Sequence, residues 1–278
     1  MKRIATIQDI SCLGKCSLTV ALPIISAMGV EACVVPTAIL STHTMIDGYT
    51  FRDLTEDMPL ICNHWKKENF IFDAIYTGYL GSKRQLAIVE EYFSSFKTKD
   101  NLIVVDPVMG DAGMLYPAFD EDFAHAMAKL CSKADIIIPN LTEAAFMLDE
   151  EYIASGCSLE YIQNLLKKLT ALGAKTAVLT GVSFEEGKIG VMGYDAVANE
   201  FFHYFHKKIN TSYHGTGDIF ASVTVGALMN NIALPKALKI AADYTAKCID
   251  ITFNEPGAIT YGVNFEYLLP ELMQQIQN

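Results

Sequence analysis

The sequence predicts an α/β protein in which a mostly parallel central sheet is covered by helices on both faces. Short apolar runs recur along the chain, and longer helical patterns separate them. Strands that are apolar on both faces and alternate with helices are typical of a parallel sheet buried on both sides. A pair of closely spaced alternating segments near residue 200 predicts an antiparallel hairpin at the edge of this sheet.

A polar or glycine-rich turn follows each run that is predicted as a strand, namely 3–8, 32–37, 74–78, 102–106, 135–139 and 176–180. The helical patterns between them are 17–28, 53–67, 82–97, 120–131, 142–149 and 158–172. Segments 188–195 and 199–207 form the predicted hairpin, and helices near 216–230, 235–251 and 264–276 complete the chain. Neither an internal repeat nor a low-complexity linker interrupts this series, so we expect a single domain spanning 1–278.

The composition limits the possible function classes. With 278 residues, 51% of them hydrophobic, the chain can bury a large core. The net charge of −11, with no cluster of basic residues, argues against a nucleic-acid partner. No run of about eighteen apolar residues predicts a membrane span, and the start, MKRIATIQ, lacks an apolar signal segment. We therefore expect a soluble, cytoplasmic protein whose seven cysteines, which lack paired metal spacing, are reduced.

The segment HGTGDIFA, residues 214–221, is the most informative part of the sequence. From residue 219 onward apolar residues recur at helical spacing, which predicts a helix that begins near Thr216. The first turn of a helix leaves backbone N–H groups unpaired, so Gly215, Thr216 and Gly217 are predicted to donate to an anion such as phosphate. Asp218 beside them is predicted to take a proton from an attacking hydroxyl. The alternative is ordinary helix capping by Thr216, with Asp218 in the first turn.

Polar residues also follow every predicted strand, at the edge where open α/β sheets bind their ligands. They are Asp9, 41–44, 77–79, 106–111, 140–143 and 180–181. We expect the carboxylates Asp106, Asp111 and Glu143 to converge toward Asp218. An acidic cluster of this kind holds ATP only when a cation neutralises both, and magnesium is the predicted cation.

Each of these residues also has an ordinary structural interpretation. Asp106 suits the start of a turn, Asn140 a helix cap, and Glu143 the third-residue partner of a capping box. Taken alone, His43 is more often a hydrogen-bonded loop residue, and Tyr79 is more often a packing residue. Helix capping alone does not explain why polar residues follow all six predicted strands, and this favours a functional site.

The following segments resemble one family: TIQD at 6–9, LSTHT at 40–44, TGY at 77–79, VVDPVMGD at 104–111, ADIIIPNLTEA at 134–144 and HGTGDIFAS at 214–222. Over essentially its full length the chain resembles the pyridoxal kinase branch of the ribokinase superfamily. The GTGD signature is specific for the superfamily, and DPVMGD with PNxxE narrows the resemblance to vitamin kinases. It implies a ribokinase-like fold and ATP-dependent phosphorylation of the 5′-hydroxymethyl group of pyridoxal, pyridoxamine or pyridoxine.

The resemblance also implies a role for each matching residue. Asp218 would be the catalytic base, and Gly215, Thr216 and Gly217 would form the anion hole for the transferring phosphoryl group. The remaining implied roles are magnesium binding by Asp111 and Glu143, ATP binding by Asp106, Asn140, Thr180 and Gly181, and contact with the vitamin ring by His43, Thr44 and Tyr79. Family members are commonly homodimers, so we expect a homodimer. Whether a monovalent cation accompanies magnesium stays open.

Asp9 departs from the family pattern, because typical pyridoxal kinases carry a serine after the Ile-Gln of the first strand. We predict that an ionised Asp9 pairs with the protonated pyridine nitrogen or the ring hydroxyl, and this leaves the preferred vitamer open. A loop or cap role for Asp9 is the alternative. Two other functions remain: a hydroxymethylpyrimidine (phosphate) kinase, against which Tyr79 and the LSTHT loop argue, and a non-catalytic nucleotide or vitamin sensor, which has no need of Asp218.

Overall fold

The structure is a computed structural model and describes residues 1–44, 46–257 and 261–277. Its strands are Arg3–Ser11 (β1), Glu31–Leu40 (β2), Phe51–Asp53 (β3), Ala74–Thr77 (β4), Leu102–Val105 (β5), Gly110–Asp111 (β6), Met114–Leu115 (β7), Ile136–Ile137 (β8), Thr176–Val182 (β9), Lys188–Asp195 (β10) and Glu200–Lys207 (β11). Its α-helices are Leu18–Ala27 (α1), Asp57–Lys67 (α2), Lys83–Phe96 (α3), Glu121–Cys131 (α4), Leu141–Leu148 (α5), Leu159–Ala171 (α6), Thr216–Met229 (α7), Leu234–Asn254 (α8) and Leu269–Gln277 (α9). Two compact units contain these elements: the first is Met1–Ala74 with Ile209–Asn278, and the second is Ile75–Lys208.

In the first unit, β1 pairs in parallel with β2, and β3 pairs antiparallel with β2. Strand β1 is buried over most of its length, which explains its apolar sequence. Helix α7 packs against α1 and α8 and is buried along almost its whole length. The register between β1 and β2 shifts at Asp9, so this carboxylate lies at an irregular point of a buried strand.

In the second unit the strands lie in the order β11-β10-β9-β8-β5-β4. Strands β5, β8 and β9 are parallel, whereas β10 pairs antiparallel with both β9 and β11. Helices α5 and α6 pack on β9, and α4 contacts both α3 and α5. The polar segments 106–111 and 140–143 follow β5 and β8, as predicted, whereas residues 180–181 lie within β9, which continues to Val182.

The predicted fold class is confirmed, with mostly parallel strands, flanking helices and an antiparallel hairpin formed by β10 and β11. The predicted segment 188–195 coincides with β10, and 199–207 differs from β11 by one residue. The sequence did not predict β3 or the small hairpin of β6 and β7, in which Gly110 pairs with Leu115 and Asp111 with Met114. Strands of two or three residues are too short to show an alternating pattern.

Two expectations about the whole chain have different outcomes. The single domain spanning 1–278 stays a prediction. For the part of the chain that the structure describes, no helix combines the length and the apolar character needed to cross a bilayer.

Candidate active site

The HGTGD segment turns into helix α7 through a glycine that no other residue can replace without rearrangement. Gly215 is the N-cap and has φ 78°, a left-handed conformation that glycine adopts at little cost. A Cβ atom at this position would lie 2.1 Å from the carbonyl oxygen of Lys15. Helix α7 begins at Thr216, as predicted. The alternative in which Thr216 caps the helix is wrong, because Gly215 is the N-cap and Thr216 follows it. The Thr216 hydroxyl donates to the carbonyl of Tyr213 at 3.1 Å.

The first turn of α7 is suited to an incoming anion. Its backbone N–H groups lack partners within the helix and carry the positive end of the helix dipole. Around Gly217, no atom of the described residues lies within 4 Å of the place where a Cβ would be, so the backbone is open there. The role of Gly215, Thr216 and Gly217 as an anion hole stays a prediction, and the open backbone at Gly217 favours it.

Asp218, the third residue of α7, is a buried carboxylate with one unused oxygen. Its Oδ1 is buried and accepts no hydrogen bond from any residue that the structure describes. Burial, together with the nearby charge of Asp9, raises the pKa of Asp218 to about 7, and the Ser17 N–H opposes this rise. A carboxylate with a pKa near neutral and a free oxygen is suited to act as a general base.

Asp9 lies within β1 and is 4% exposed, so the loop or cap alternative for this residue is wrong. Its Oδ2 accepts a hydrogen bond from the Ser11 hydroxyl at 3.2 Å. Burial raises the pKa of Asp9, whereas the hydroxyls of Ser17 and Ser11 lower it. Sequence reasoning missed both serines, because neither belongs to a motif.

His43 faces a second histidine that the sequence did not single out. Its ring centroid is 4.4 Å from that of His214, with a tilt of 38° between the rings. Its backbone N–H donates to the carbonyl of Leu13 at 3.0 Å. Burial and the neighbouring His214 lower the pKa of His43 to about 4, so the ring is neutral at physiological pH. Thr44 next to it is exposed to solvent.

In the second unit, Glu143 is the third residue of α5 and closes a capping box with Asn140. Its Oε2 accepts the N–H of Asn140 at 2.9 Å, and its Oε1 accepts the N–H of Met109 at 3.0 Å. Burial raises the pKa of Glu143, the nearby Asp111 raises it further, and the backbone N–H groups of Asn140, Met109 and Gly110 lower it. The capping interpretation of Glu143 is therefore correct, whatever further role the residue has.

Asp111 lies on the hairpin of β6 and β7 and is exposed. Its Oδ1 accepts the N–H of Ala112 at 2.8 Å, which leaves Oδ2 accessible. Helix α5 holds this hairpin in place: the Asn140 side-chain amide donates to the carbonyl of Gly110 at 2.8 Å, and the Thr142 hydroxyl accepts the N–H of Gly113 at 2.9 Å. The sequence analysis placed Thr142 among the polar residues 140–143 but predicted no role for it.

Of the other predicted residues of the second unit, Asp106 follows β5, Tyr79 follows β4, and Thr180 and Gly181 lie within β9. Asp106 is buried, and its N–H donates to the carbonyl of Thr77 at 3.0 Å. Thr180 forms a parallel bridge with Asn140. Gly181 has φ 73° and is the extra residue at a register shift between β9 and β10. Tyr79 packs against Phe119, with ring centroids 5.6 Å apart.

The structure thus brings the predicted residues together in two sets, each within its own unit. In the first unit, Asp9 is near enough to Asp218 for its charge to raise the pKa of that residue. In the second unit, Asp111, Asn140, Glu143 and Thr180 are neighbours. The convergence of Asp106, Asp111 and Glu143 toward Asp218 stays a prediction.

Comparison with known proteins assigns a family to this arrangement. A model of the phosphomethylpyrimidine kinase family matches residues 21–262. The chain belongs to this family. A Bacteroides thetaiotaomicron VPI-5482 kinase of this kind, provisionally assigned and crystallised with pyridoxal, is 42% identical, with a TM-score of 0.93 over 98% of this chain and 95% of its own. Pyridoxal kinase from Lactobacillus plantarum is 32% identical, with a TM-score of 0.90 over 99% of this chain and 98% of its own.

The chain is also similar to a relative whose name gives pyrimidine substrates. The hydroxymethylpyrimidine/phosphomethylpyrimidine kinase of Aquifex aeolicus (strain VF5) is 28% identical over 183 residues, which are 66% of this chain and 69% of the relative. Membership of the family makes the chain a kinase that transfers a phosphoryl group to an alcohol. The predicted resemblance to the pyridoxal kinases is confirmed.

Asp111 and Glu143 are the two residues that the sequence predicts to bind magnesium, and carboxylate oxygens are ligands that this ion accepts. Among the residues described, no group of three or more His, Cys, Asp or Glu side chains is arranged to hold a metal ion. Mg²⁺ usually keeps several waters and binds through one or two carboxylates plus phosphates, so a large cluster is not required. The charge of Asp111 acts on Glu143, so a cation at this pair would relieve the repulsion of two nearby carboxylates.

Proposed function

We propose that the protein phosphorylates the 5′-hydroxymethyl group of pyridoxal, pyridoxamine or pyridoxine with ATP. The observation that carries this proposal is the buried, unused oxygen of Asp218 in the first turn of α7. It supplies a proton acceptor beside a set of N–H donors, which is what the transfer of a phosphoryl group to an alcohol requires. The pyridoxal bound to the 42% identical relative supports a vitamin B6 substrate.

In this proposal Asp218 takes the proton of the hydroxymethyl group as its oxygen attacks the γ-phosphorus of ATP. The N–H groups of Gly215, Thr216 and Gly217 donate to the oxygens of the transferring phosphoryl group. Because the pKa of Asp218 is about 7, the carboxylate is ionised at slightly alkaline pH and is a stronger base than an exposed aspartate. The proton leaves Asp218 after the phosphorylated vitamin and ADP depart.

Residues of the second unit would bind the nucleotide. We assign ATP binding to Asp106, Asn140, Thr180 and Gly181, where the bulge at Gly181 leaves the backbone open to a ligand. Asp111 and Glu143 would hold magnesium, directly or through water. When bound, this ion neutralises charge on the phosphates.

The vitamin ring would contact His43, Thr44, Tyr79 and Asp9. A neutral His43 is suited to pack on the ring and to accept or donate one hydrogen bond. Asp9 would pair with the pyridine nitrogen or the ring hydroxyl when it is ionised. A homodimer and a cytoplasmic location remain part of this proposal, as the resemblance suggests.

A second candidate is phosphorylation of hydroxymethylpyrimidine or its phosphate, which the similarity to the Aquifex aeolicus enzyme favours. A non-catalytic sensor is the less favoured alternative, because a sensor gains nothing from a buried Asp218 that lacks a partner for one oxygen.

The test is an ADP-release assay on pyridoxal, pyridoxamine, pyridoxine and hydroxymethylpyrimidine, with wild type and the Asp218→Asn variant. We expect turnover of at least one B6 vitamer with a higher kcat/KM than for hydroxymethylpyrimidine. Preferential turnover of the pyrimidine would establish the second candidate. A lack of turnover with every alcohol would favour the sensor, and full turnover by the variant would refute the role of Asp218 as the base.

The role of Asp9 has its own test, because Asp9→Ser restores the residue that typical pyridoxal kinases carry. If Asp9 contacts the ring, the KM for the vitamers should change by about tenfold, and unequally among the three. Unchanged KM values for all three vitamers would exclude the contact.

A further inference from the structure

The hairpin of β6 and β7, which carries Asp111, is closed by a turn of two residues. Asp111 pairs with Met114, so the turn consists of Ala112 and Gly113. Their φ angles are 51° and 81°, and two positive φ angles in succession are typical of the tightest antiparallel hairpins. Glycine adopts this conformation at little cost, whereas an alanine in the left-handed region is destabilising. Such a conformation persists where contacts with the rest of the protein hold it.

The ring of Tyr152 provides one of these contacts. A Cβ atom at Gly113 would lie 2.6 Å from Cδ1 and 2.8 Å from Cε1 of this ring, so the tyrosine packs directly on the α-carbon of the glycine. Only glycine fits at position 113, because the left-handed φ and the ring both exclude a side chain. The contact is made by carbon atoms of the ring rather than by the hydroxyl. A smaller residue in place of Tyr152 would therefore leave a gap over the turn.

Helix α5 provides a second set of contacts with the hairpin. Asn140 and Thr142 form hydrogen bonds with its backbone, and the methyl group of Thr142 packs near Gly110, where a Cβ would lie 3.3 Å from Cγ2. The hairpin therefore packs at two glycines, at Gly110 on α5 and at Gly113 on Tyr152. A hairpin of two residue pairs is too small to be stable by itself, so its shape depends on these two supports.

The segment that carries Tyr152 is itself fixed to the helices on both sides of it. The N–H of Glu150 donates to the carbonyl of Ala145 in α5 at 2.9 Å. The hydroxyl of Tyr161 in α6 donates to the carbonyl of Glu151, the residue before Tyr152, at 2.7 Å. All of these residues belong to the second unit. The ring therefore meets the turn from a backbone that is held in place.

The Asp111 carboxylate follows the conformation of this turn, because its Oδ1 accepts the N–H of Ala112 at 2.8 Å. We propose that Tyr152 is a positioning residue for magnesium binding, whose ring holds the turn and thereby the direction of the Asp111 carboxylate. A side chain that only filled space would stabilise the second unit without affecting the binding of a metal ion. The inference rests on the proposed role of Asp111 in magnesium binding.

The test compares Tyr152→Ala with Tyr152→Phe in the magnesium dependence of the rate. Alanine removes the ring from Gly113, so the magnesium concentration for half-maximal rate should rise by about tenfold, with kcat at saturating magnesium unchanged. Phenylalanine keeps the ring carbons that make the contact, so this concentration should stay within about twofold of wild type. If Tyr152→Ala does not fold, Tyr152→Leu, which is apolar but lacks the flat ring, takes its place with the same expected direction.

Hydrogen exchange in the metal-free protein provides a readout that needs neither magnesium nor activity. The N–H of Ala112 donates to Asp111 Oδ1, and the N–H of Gly113 donates to the Thr142 hydroxyl. Both amides should exchange at least about tenfold faster in Tyr152→Ala, because the turn opens more often without the ring. In Tyr152→Phe their exchange should match that of wild type.

The hairpin of β10 and β11 offers a matched control, because an aromatic ring packs on a glycine there as well. Gly193 pairs with Phe202, and a Cβ at Gly193 would overlap with the Phe202 ring. Phe202→Ala should lower the melting temperature as Tyr152→Ala does. It should leave the magnesium requirement and the exchange of the β6–β7 turn unchanged.

An unchanged magnesium requirement in Tyr152→Ala would overturn the positioning role, as would an equal rise in Phe202→Ala. The Asp111→Asn variant separates this result from failure of the proposed metal site. If Asp111→Asn raises the magnesium requirement and Tyr152→Ala does not, only the role of Tyr152 is refuted. If Asp111→Asn leaves the requirement unchanged, the metal role of Asp111 and this inference are both refuted. Should wild type phosphorylate no alcohol, the magnesium requirement is measured for ADP binding by calorimetry.

Discussion

Asp218 and Glu143 occupy the same position in two helices, yet their carboxylates have opposite surroundings. Each is the third residue of its helix and is buried, at 8% exposure for Asp218 and 3% for Glu143. Both oxygens of Glu143 accept backbone N–H groups, whereas Oδ1 of Asp218 accepts none from the described residues. The Glu143 carboxylate reaches the backbone N–H of its own N-cap, Asn140, and closes a capping box, whereas Asp218 forms no capping box with Gly215.

This comparison shows that burial of an acid does not by itself identify a catalytic group. Burial raises the pKa of both residues. The two backbone hydrogen bonds of Glu143 offset part of the cost of burying a charge, but its pKa is still raised. Of the two acids, only Asp218 combines a raised pKa with an oxygen that accepts no hydrogen bond from the described residues, and this combination suits a general base.

The largest expected difference between the two acids is in kcat. Asp218→Asn should lower kcat by roughly a thousandfold, because the variant loses the proton acceptor. Glu143→Gln should lower kcat by only about tenfold and raise the magnesium concentration needed for half-maximal rate, since it alters a metal-binding and scaffolding residue. Steady-state assays over a magnesium series measure both effects. Equal losses in the two variants, with no change in magnesium requirement, would contradict the comparison.

The pH dependence of kcat is the next largest effect. Asp218 must be ionised to accept a proton, so kcat should rise with pH and level off above its pKa of about 7. Below that point kcat should fall about tenfold per pH unit. His43, whose pKa is about 4, is already neutral over this range. His43→Asn should therefore leave the fall of kcat below pH 7, the acid limb of the pH profile, unchanged. A limb that disappears in His43→Asn would assign it to the histidine instead.

Replacement of each acid by its amide should change the stability of the protein with opposite signs, because Asp218→Asn should stabilise it and Glu143→Gln should destabilise it. Asp218 titrates near 4 in the unfolded chain and near 7 in the folded protein, so folding favours its protonated form. Its contribution to stability is therefore complete below pH 4 and is lost as the pH rises to 7. Asp218→Asn should stabilise the protein by about 2 kcal/mol at pH 8, and this gain should vanish near pH 4.

Glu143→Gln should instead destabilise the protein by roughly 2 kcal/mol, because an amide cannot accept two backbone N–H groups at its two ends. Urea unfolding at pH 8 measures both changes. Destabilisation by Asp218→Asn at that pH would mean that the carboxylate is better compensated than its contacts indicate.

The sequence was sufficient for the main elements of the fold, since β10 and the start of α7 match their predicted positions. Long apolar or alternating segments carry a periodic signal, whereas the strands of the β6–β7 hairpin are two residues long and carry none. The same limit applies to strand β3.

For the candidate site, the sequence pointed to the acidic residues but could not predict the hydrogen-bond partners or the pKa of each carboxylate. Whether an acid has a free oxygen depends on partners far away in the chain, such as Met109 for Glu143. Ser17 precedes a helix like an ordinary N-cap, but its side chain makes no capping hydrogen bond and its φ is 50°.

The smallest expected effect concerns Thr142, which precedes Glu143 and holds the Asp111 hairpin. Its buried hydroxyl accepts the N–H of Gly113, and its methyl group packs near Gly110. Thr142→Val keeps the shape but removes the acceptor, so stability should fall by about 1 kcal/mol. If the hairpin positions Asp111 for magnesium, the magnesium requirement should also rise by about threefold, with kcat at saturating magnesium unchanged. A loss of stability without any change in the magnesium requirement would assign Thr142 to the scaffold alone, and would place it with the capping contacts of Glu143 rather than with the metal site.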